Sequence, residues 1–122
     1  MKALLVVDDS KAIRTAIRRI VEPMGFNIIE AGDGQEALDH CTRDGLPDGI
    51  LLDIDMPVMD GLTFLKTLRQ DQTFAGASVV MCTTHNSMDK VKEALEAGAN
   101  EYVMKPFDEE IIRSKLQAVG LL

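Results

Sequence analysis

Three carboxylates and one lysine stand where apolar runs of the sequence end, and their residue types suit metal and phosphate chemistry. They are Asp8, Asp9, Asp53 and Lys105. Carboxylate oxygens are ligands that Mg²⁺ prefers, and lysine is a compact cation able to hold a carboxylate or a phosphoryl oxygen. Three clustered acids without a metal would repel one another and push at least one pKa upward. Asp53 is the candidate nucleophile, because a carboxylate that attacks phosphorus forms an aspartyl phosphate.

The elements that must position these side chains are read from the apolar pattern. β-Branched runs alternate with segments of helical period, five of each, which indicates repeated βα units and a parallel sheet. The predicted strands cover residues 3–7, 27–31, 48–52, 79–82 and 101–104. The expected fold class is therefore α/β, a doubly wound sheet. Ligands of such sheets bind outside the carboxyl ends of the strands, so the four residues should share one pocket.

Residues that favour helix starts precede each predicted helix. The candidate N-caps are Ser10, Asp33, Asp60, Ser87 and Asp108. The first helix is expected to carry apolar residues as far as Met24, before Gly25 ends it.

Composition limits the classes of function. At 122 residues the chain is expected to be one domain, residues 1–122, without a linker to an output domain. A net charge of −7 argues against direct binding to nucleic acid or an anionic membrane. Cys41 and Cys82 are too few for a disulfide scaffold, and Cys82 lies in a strand run where a buried apolar role fits. A cytoplasmic protein is expected.

Each candidate residue also has a simpler interpretation. Asp8 and Asp9 could be acids at a helix N-terminus, Asp53 a polar strand end, and Lys105 a solvated residue in a turn. Their joint position at three run ends favours a shared site.

Several motifs resemble the receiver domains of two-component response regulators, most closely the stand-alone chemotaxis-type receivers, over essentially the whole chain. The motifs are Val6-Val7-Asp8-Asp9-Ser10, Leu51-Leu52-Asp53-Ile54-Asp55-Met56-Pro57-Val58-Met59-Asp60-Gly61, Thr83, Gly98-Ala99 and Tyr102-Val103-Met104-Lys105-Pro106-Phe107. The resemblance implies a flavodoxin-like (βα)5 three-layer sandwich whose strands are ordered 2-1-3-4-5.

The same resemblance implies roles for individual residues. Mg²⁺ would bind Asp8, Asp9, Asp53 and the backbone carbonyl of Asp55, and Asp53 would be phosphorylated. Other implied roles are phosphoryl contacts from Thr83 and Lys105, a switch formed by Thr83 and Tyr102, and a cis peptide bond between Lys105 and Pro106. Tyr102 could alternatively be an ordinary half-exposed strand residue.

The resemblance also implies a signalling function in chemotaxis or a related phosphorelay. A sensor histidine kinase or a histidine phosphotransfer protein would donate the phosphoryl group, and the face of helix four, strand five and helix five would bind a downstream protein. Charged candidates on that face, which could equally be an ordinary solvated surface, are Lys90, Lys92, Glu93, Arg113 and Lys115. The expected protein is a monomer that phosphorylates itself from small donors and dephosphorylates itself, and is not otherwise an enzyme.

Three residues depart from the usual receiver pattern or flank the acceptor. Asp55, Thr84 and His85 are possible modulators of dephosphorylation, although for His85 the simpler interpretation, an exposed loop residue without a role, is favoured.

Two other classes of function fit the sequence less well. Asp53-Ile54-Asp55 also resembles the acid pair of haloacid-dehalogenase-type phosphohydrolases, but that motif belongs to a first strand and here it follows the third. A nucleotide- or flavin-binding module lacks support, because the sequence has no G-x-G-x-x-G or Walker lysine loop.

Overall fold

The computed structural model describes residues 1–74, 76–84 and 88–122. The strands are β1 (Ala3–Val7), β2 (Asn27–Ala31), β3 (Gly49–Leu52), β4 (Ser78–Thr83) and β5 (Glu101–Met104). The helices are α1 (Lys11–Val21), α2 (Gly34–Asp44), α3 (Gly61–Gln70), α4 (Met88–Glu96) and α5 (Glu109–Ala118). Short 3₁₀ turns follow α1 at Glu22–Met24 and α3 at Gln72–Phe74.

All five strands pair in parallel in the order β2-β1-β3-β4-β5, which confirms the expected sheet. Side chains alternate between its two faces, because successive residues of a strand point in opposite directions. Leu5 and Val7 belong to the core beneath α2, α3 and α4, whereas Leu4 and Val6 belong to the core beneath α1 and α5. Helices therefore cover both faces, and every residue of β3 is buried, as expected for a central parallel strand.

The predicted caps form in α1, α2, α3 and α5. In each case the cap side chain accepts a backbone N–H three residues on, at 3.2 Å for Ser10, 2.7 Å for Asp33, 2.8 Å for Asp60 and 2.9 Å for Asp108. Such a contact satisfies a helical N–H that would otherwise lack a partner. The cap predicted at Ser87 lies outside the described residues.

The boundaries of three elements differ from the prediction. The first helix ends at Val21 and a 3₁₀ turn continues to Met24, because Pro23 has no N–H to donate to an α-helical bond. β3 begins at Gly49 rather than residue 48. β4 extends to Thr83, since this residue still pairs with Met104 of β5.

Both cysteines are buried, as expected for Cys82. Burial raises the pKa of Cys41 to about 11 and that of Cys82 to about 12, so both thiols stay protonated near neutral pH. Within the described part of the chain, no helix is both long and apolar enough to cross a bilayer.

Candidate phosphoacceptor and metal site

Four elements deliver polar side chains to one pocket at the carboxyl edge of the sheet. Asp8 follows β1, Asp53 follows β3, Thr83 ends β4 and Lys105 follows β5. Asp8, Asp53 and Thr83 are the buried polar residues of the described chain. Buried polar groups need partners, and these three lie where they can be partners of one another and of Lys105.

The Lys105 ammonium contacts two of the buried acids. Its Nζ donates to Asp8 Oδ2 at 2.5 Å and lies 3.4 Å from Asp53 Oδ2. Burial lowers the pKa of Lys105, but the hydrogen bond to Asp8 and the charge of Asp53 outweigh burial and raise the pKa above its usual value. Lys105 therefore remains a cation between the two carboxylates.

The surroundings of Asp53 disfavour its negative charge. Burial raises its pKa, the charge of Lys105 opposes that shift, and the negative charge of Asp8 adds to it. The Ile54 N–H, which donates to Asp53 Oδ1 at 2.8 Å, and a hydrogen bond with the Thr83 side chain both favour the charged form. The pKa of Asp53 is nevertheless raised, so an additional positive charge would stabilise the carboxylate.

Asp8, Asp9 and Asp53 form a group that could hold a metal ion. Each contributes a carboxylate oxygen, and these oxygens lie within 4.8 Å of one another. The set is all oxygen, and Asp9 is exposed while the other two acids are buried. Hard donors with one side open to water fit Mg²⁺, which usually keeps several of its waters.

The loop between β3 and α3 brings the start of α3 against the backbone of Asp53. The Gly61 N–H donates to the Ile54 carbonyl at 2.8 Å, and a Cβ on Gly61 would lie 1.9 Å from the Asp53 carbonyl oxygen. Only glycine fits this approach. Asp55, whose carbonyl is the fourth expected metal ligand, lies in this loop with an exposed side chain.

The pKa of Tyr102 is affected by the negative charges of the pocket. Burial raises the pKa of its phenol, and the negative charges of Asp53 and Asp55 add to that shift. The side chain is partly buried and packs against the core beneath α2, α3 and α4. Tyr102 is thus a partly buried residue of β5 that lies near the charges of Asp53 and Asp55.

The remaining expected residues lie around the pocket mouth. The Lys105–Pro106 peptide bond is cis. Thr84 is exposed and lines a groove of about 410 Å³ with Ile13, Pro106 and Phe107, among others. His85 lies outside the described residues.

Arg14 of α1 was missed at the sequence level. Its Nη1 donates to the Asp8 carbonyl at 2.5 Å and its Nε to Glu30 Oε1 at 3.1 Å. In the sequence, Arg14 is marked only by its position four residues after the Ser10 cap. That position does not reveal a contact with the Asp8 carbonyl at the end of β1.

Comparisons with known proteins agree with this geometry. The model of the response regulator receiver domain family matches residues 4–117. Chemotaxis protein CheY1 of Helicobacter pylori is 35% identical over 117 residues, which cover 95% of this chain and 94% of that protein. The structure of chemotaxis protein CheY4 of Vibrio cholerae superposes with a TM-score of 0.90 at 34% identity and covers 98% of both chains.

A further relative is larger. Sensor histidine kinase CheAY of Helicobacter pylori is 34% identical over 110 residues, which cover 89% of this chain and 14% of that protein.

The chain belongs to the response regulator receiver domain family. It is a domain of two-component signalling, and the relatives reported above include single-domain chemotaxis regulators of the CheY type.

Proposed function

We propose that the protein, as a single receiver domain over residues 1–122, is a signalling switch turned on by Mg²⁺-dependent phosphorylation of Asp53. The observation that carries this proposal is the state of Asp53. It is a buried carboxyl with a raised pKa, it contacts Lys105 and Thr83, and it lies beside two further acids. A group whose charge is disfavoured by burial and by a specific neighbour is a strong candidate for a functional site.

The contacts of Asp53 support the following transfer step. A carboxylate oxygen of Asp53 attacks the phosphorus of a phosphohistidine on a sensor histidine kinase or a histidine phosphotransfer protein. The P–N bond breaks, and its electron pair stays on the imidazole nitrogen of the donor. Lys105 and Thr83 then hold phosphoryl oxygens where they now contact Asp53. Phosphorylation from small donors such as acetyl phosphate follows the same route, with a P–O bond broken instead.

Mg²⁺ is the proposed cofactor, held by Asp8, Asp9, Asp53 and the backbone carbonyl of Asp55. When bound, it would neutralise oxygens of the transferring phosphoryl group. Asp55, Thr84 and His85 are proposed to modulate dephosphorylation at the pocket mouth. Asp55 lies in the loop after β3, Thr84 follows the end of β4, and both are exposed.

The proposed output face comprises α4, β5 and α5. Most of its charges are already paired, including Lys90 with Glu93 at 3.7 Å and Lys115 with Glu101 at 3.1 Å. Apolar side chains stand among them, since Met88 of α4 is 78% exposed. A groove of about 480 Å³ follows this helix, lined by Met88, Asp89, Val91, Lys92, Leu95 and Glu96. A downstream protein is the proposed partner, rather than nucleic acid or a membrane, because the chain carries a charge of −7.

The proposed coupling runs through Thr83 and Tyr102. Thr83 ends β4 beside the acceptor, and Tyr102 of the neighbouring β5 carries a phenol whose pKa responds to Asp53 and Asp55. Phosphorylation adds charge and strong acceptor oxygens, which change what both side chains contact. A ligand shifts an equilibrium only through such differential contacts.

The proposed function is tested by comparing phosphoryl labelling of the chain with steady hydrolysis of a phosphate ester. Incubation with Mg²⁺ and acetyl phosphate should add one phosphoryl group per chain by intact mass, and addition of EDTA should prevent it. A generic ester such as p-nitrophenyl phosphate should show no steady hydrolysis. Sustained turnover of the ester without a trapped label would favour the phosphohydrolase alternative and overturn the switch.

Thr83→Ala tests the coupling. The variant should still accept the label, because Asp53, Lys105 and the acids remain. Its response at Tyr102 and along α4 should be reduced to a small fraction of the parent's, measured as amide chemical-shift changes on addition of a beryllofluoride phosphoryl mimic. Equal shift changes in variant and parent would place the switch in other residues.

A further inference from the structure

Arg14 reaches the acid pocket through the backbone rather than through a carboxylate. Its Nη1 donates to the carbonyl of Asp8 at 2.5 Å, and its Nε donates to Oε1 of Glu30 at 3.1 Å. The side chain is only 17% exposed. A planar guanidinium with donors in a fixed fork is suited to holding two acceptors in one geometry.

This contact completes the restraint of Asp8. The N–H of Asp8 donates to the Ala31 carbonyl at 3.1 Å, which extends the pairing of β1 with β2 by one residue. Among the described residues, no backbone N–H donates to the carbonyl of Asp8, and Arg14 holds it instead. Because a peptide unit is planar, holding that carbonyl also fixes the orientation of the Asp9 N–H and Cα.

Asp9 depends on this restraint more than Asp8 does. The carboxylate of Asp8 is held by the Ser10 N–H at 2.9 Å and by Lys105. Asp9 is exposed, and among the described residues no hydrogen bond or ion pair holds its carboxylate. The backbone therefore sets the Cα–Cβ direction of Asp9 and, with it, the region that its carboxylate can reach.

We infer that Arg14 is a positioning residue for the Mg²⁺ site, which holds the Asp8–Asp9 peptide so that both carboxylates face one ion. This inference rests on the proposed function. Glu30 makes the arrangement compatible with a nearby cation, because its carboxylate balances the guanidinium charge. Outer partners that orient metal ligands typically change metal affinity by about 10- to 100-fold when they are removed.

Electrostatics alone predicts the opposite effect, which makes the inference testable. Removing the Arg14 cation leaves the negative charge of Glu30 less balanced. The pocket then becomes more negative and should attract Mg²⁺ more strongly. If Arg14 acts by positioning, its removal should weaken Mg²⁺ binding despite the more favourable charge. A raised Kd is thus a result that a merely electrostatic role would not produce.

Arg18 provides the matched control. Its Nε lies 3.2 Å from Oε2 of the same Glu30, but its Nη2 donates to the Ile28 carbonyl, near the other end of β2 from Ala31. Arg14→Gln and Arg18→Gln therefore each remove one positive charge from α1 beside Glu30, and the second also removes an exposed contact with Glu22 at 3.4 Å. Only the first variant loses the contact with Asp8.

The experiment is a Mg²⁺ titration of the parent, Arg14→Gln and Arg18→Gln, followed by amide chemical shifts, with urea midpoints measured in parallel. Arg14→Gln should raise the Kd for Mg²⁺ roughly tenfold. Arg18→Gln should change it less than about twofold, with a comparable change in urea midpoint. At saturating Mg²⁺, the Arg14→Gln variant should reach the parental extent of acetyl phosphate labelling.

An unchanged or lowered Kd in Arg14→Gln would overturn the inference, and so would equal rises in both variants. If Arg14→Gln fails to fold, Arg14→Lys keeps the cation without the fork and should raise the Kd by a smaller factor. Parental affinity in that variant would also overturn the inference. Absence of Mg²⁺ binding by the parent would instead refute the proposed metal site itself.

Discussion

Asp53 combines burial with a negative charge, and the surrounding residues only partly offset the cost of that combination. Lys105, the Ile54 N–H and Thr83 stabilise the carboxylate, while burial and Asp8 destabilise it. Because the pKa of Asp53 stays raised, the folded state holds its proton to a higher pH than the unfolded chain does. The charge of Asp53 is therefore a source of instability that a nearby cation would relieve.

Asp53→Asn should stabilise the metal-free protein at neutral pH. The folded carboxyl has a raised pKa, so its contribution to stability declines as pH rises from the unfolded value, about 3.9, through the folded one. The variant lacks this loss and keeps an oxygen for the Ile54 N–H. In urea unfolding with EDTA, its advantage over the parent should be present at pH 7 and shrink below about pH 4. Asp55→Asn, at an exposed position, should have a smaller effect.

If Asp53→Asn proves less stable than the parent at pH 7 without metal, burial is not the dominant influence on the acceptor.

Val58 shows strain of a different kind at the residue scale. It has a φ of +67° and is 83% exposed, although β-branched residues rarely adopt this left-handed conformation. Val58→Asn should raise the free energy of unfolding by about 1 kcal/mol, because asparagine tolerates this region and little packing is lost. Val58→Ala should gain less. A loss of stability in Val58→Asn would show that the valine makes a compensating contact.

At the scale of elements, the site depends on how closely α3 approaches the end of β3. The start of α3 at Gly61 touches the backbone of Asp53, and the Asp60 cap fixes the helix at the same place. A helix start and a strand end in contact transmit any displacement of one to the other. The position of the acceptor is thus set by backbone packing as well as by its own side-chain contacts.

Gly61→Ala tests this packing. The added Cβ would lie 1.9 Å from the Asp53 carbonyl oxygen, so the backbone must shift, at a cost of about 2 kcal/mol. Gly76→Ala is the control, because its Cβ would meet nothing within 4 Å. Urea unfolding should show the loss in the first variant and little change in the second. Equal stability of the two variants would contradict the close approach.

Much of the architecture follows from sequence, for physical reasons. Alternation of apolar runs with helical periods predicts the sheet, and short polar side chains before helices predict caps, because both signals are local. The α1 boundary was wrong because Pro23 acts through a missing N–H rather than through hydrophobicity. Arg14 was missed because its contact with the Asp8 carbonyl depends on how α1 lies against the sheet. Such a three-dimensional placement has no local pattern.

At the scale of the whole molecule, the fold separates the proposed phosphoacceptor site from the proposed output face. The acids and Lys105 meet at the carboxyl edge of the central strands, whereas the proposed output face lies along the side formed by α4, β5 and α5. β4 and β5 connect the two regions, with Thr83 at the pocket end of β4 and Tyr102 on the neighbouring β5, where it pairs with Met81. A parallel sheet thus brings residues distant in sequence to one site and places a partner surface beside it.

The central claim is that Asp53 alone accepts the phosphoryl group, and locating the label on the chain tests it most directly. The parent and Asp53→Asn are treated with acetyl phosphate and Mg²⁺, then compared by peptide mapping. We expect the parent to carry the label only in the peptide that contains Asp53, and the variant to carry none while remaining folded. Stoichiometric labelling of Asp53→Asn, or a label on Asp8, Asp9 or Asp55 in the parent, would contradict the account.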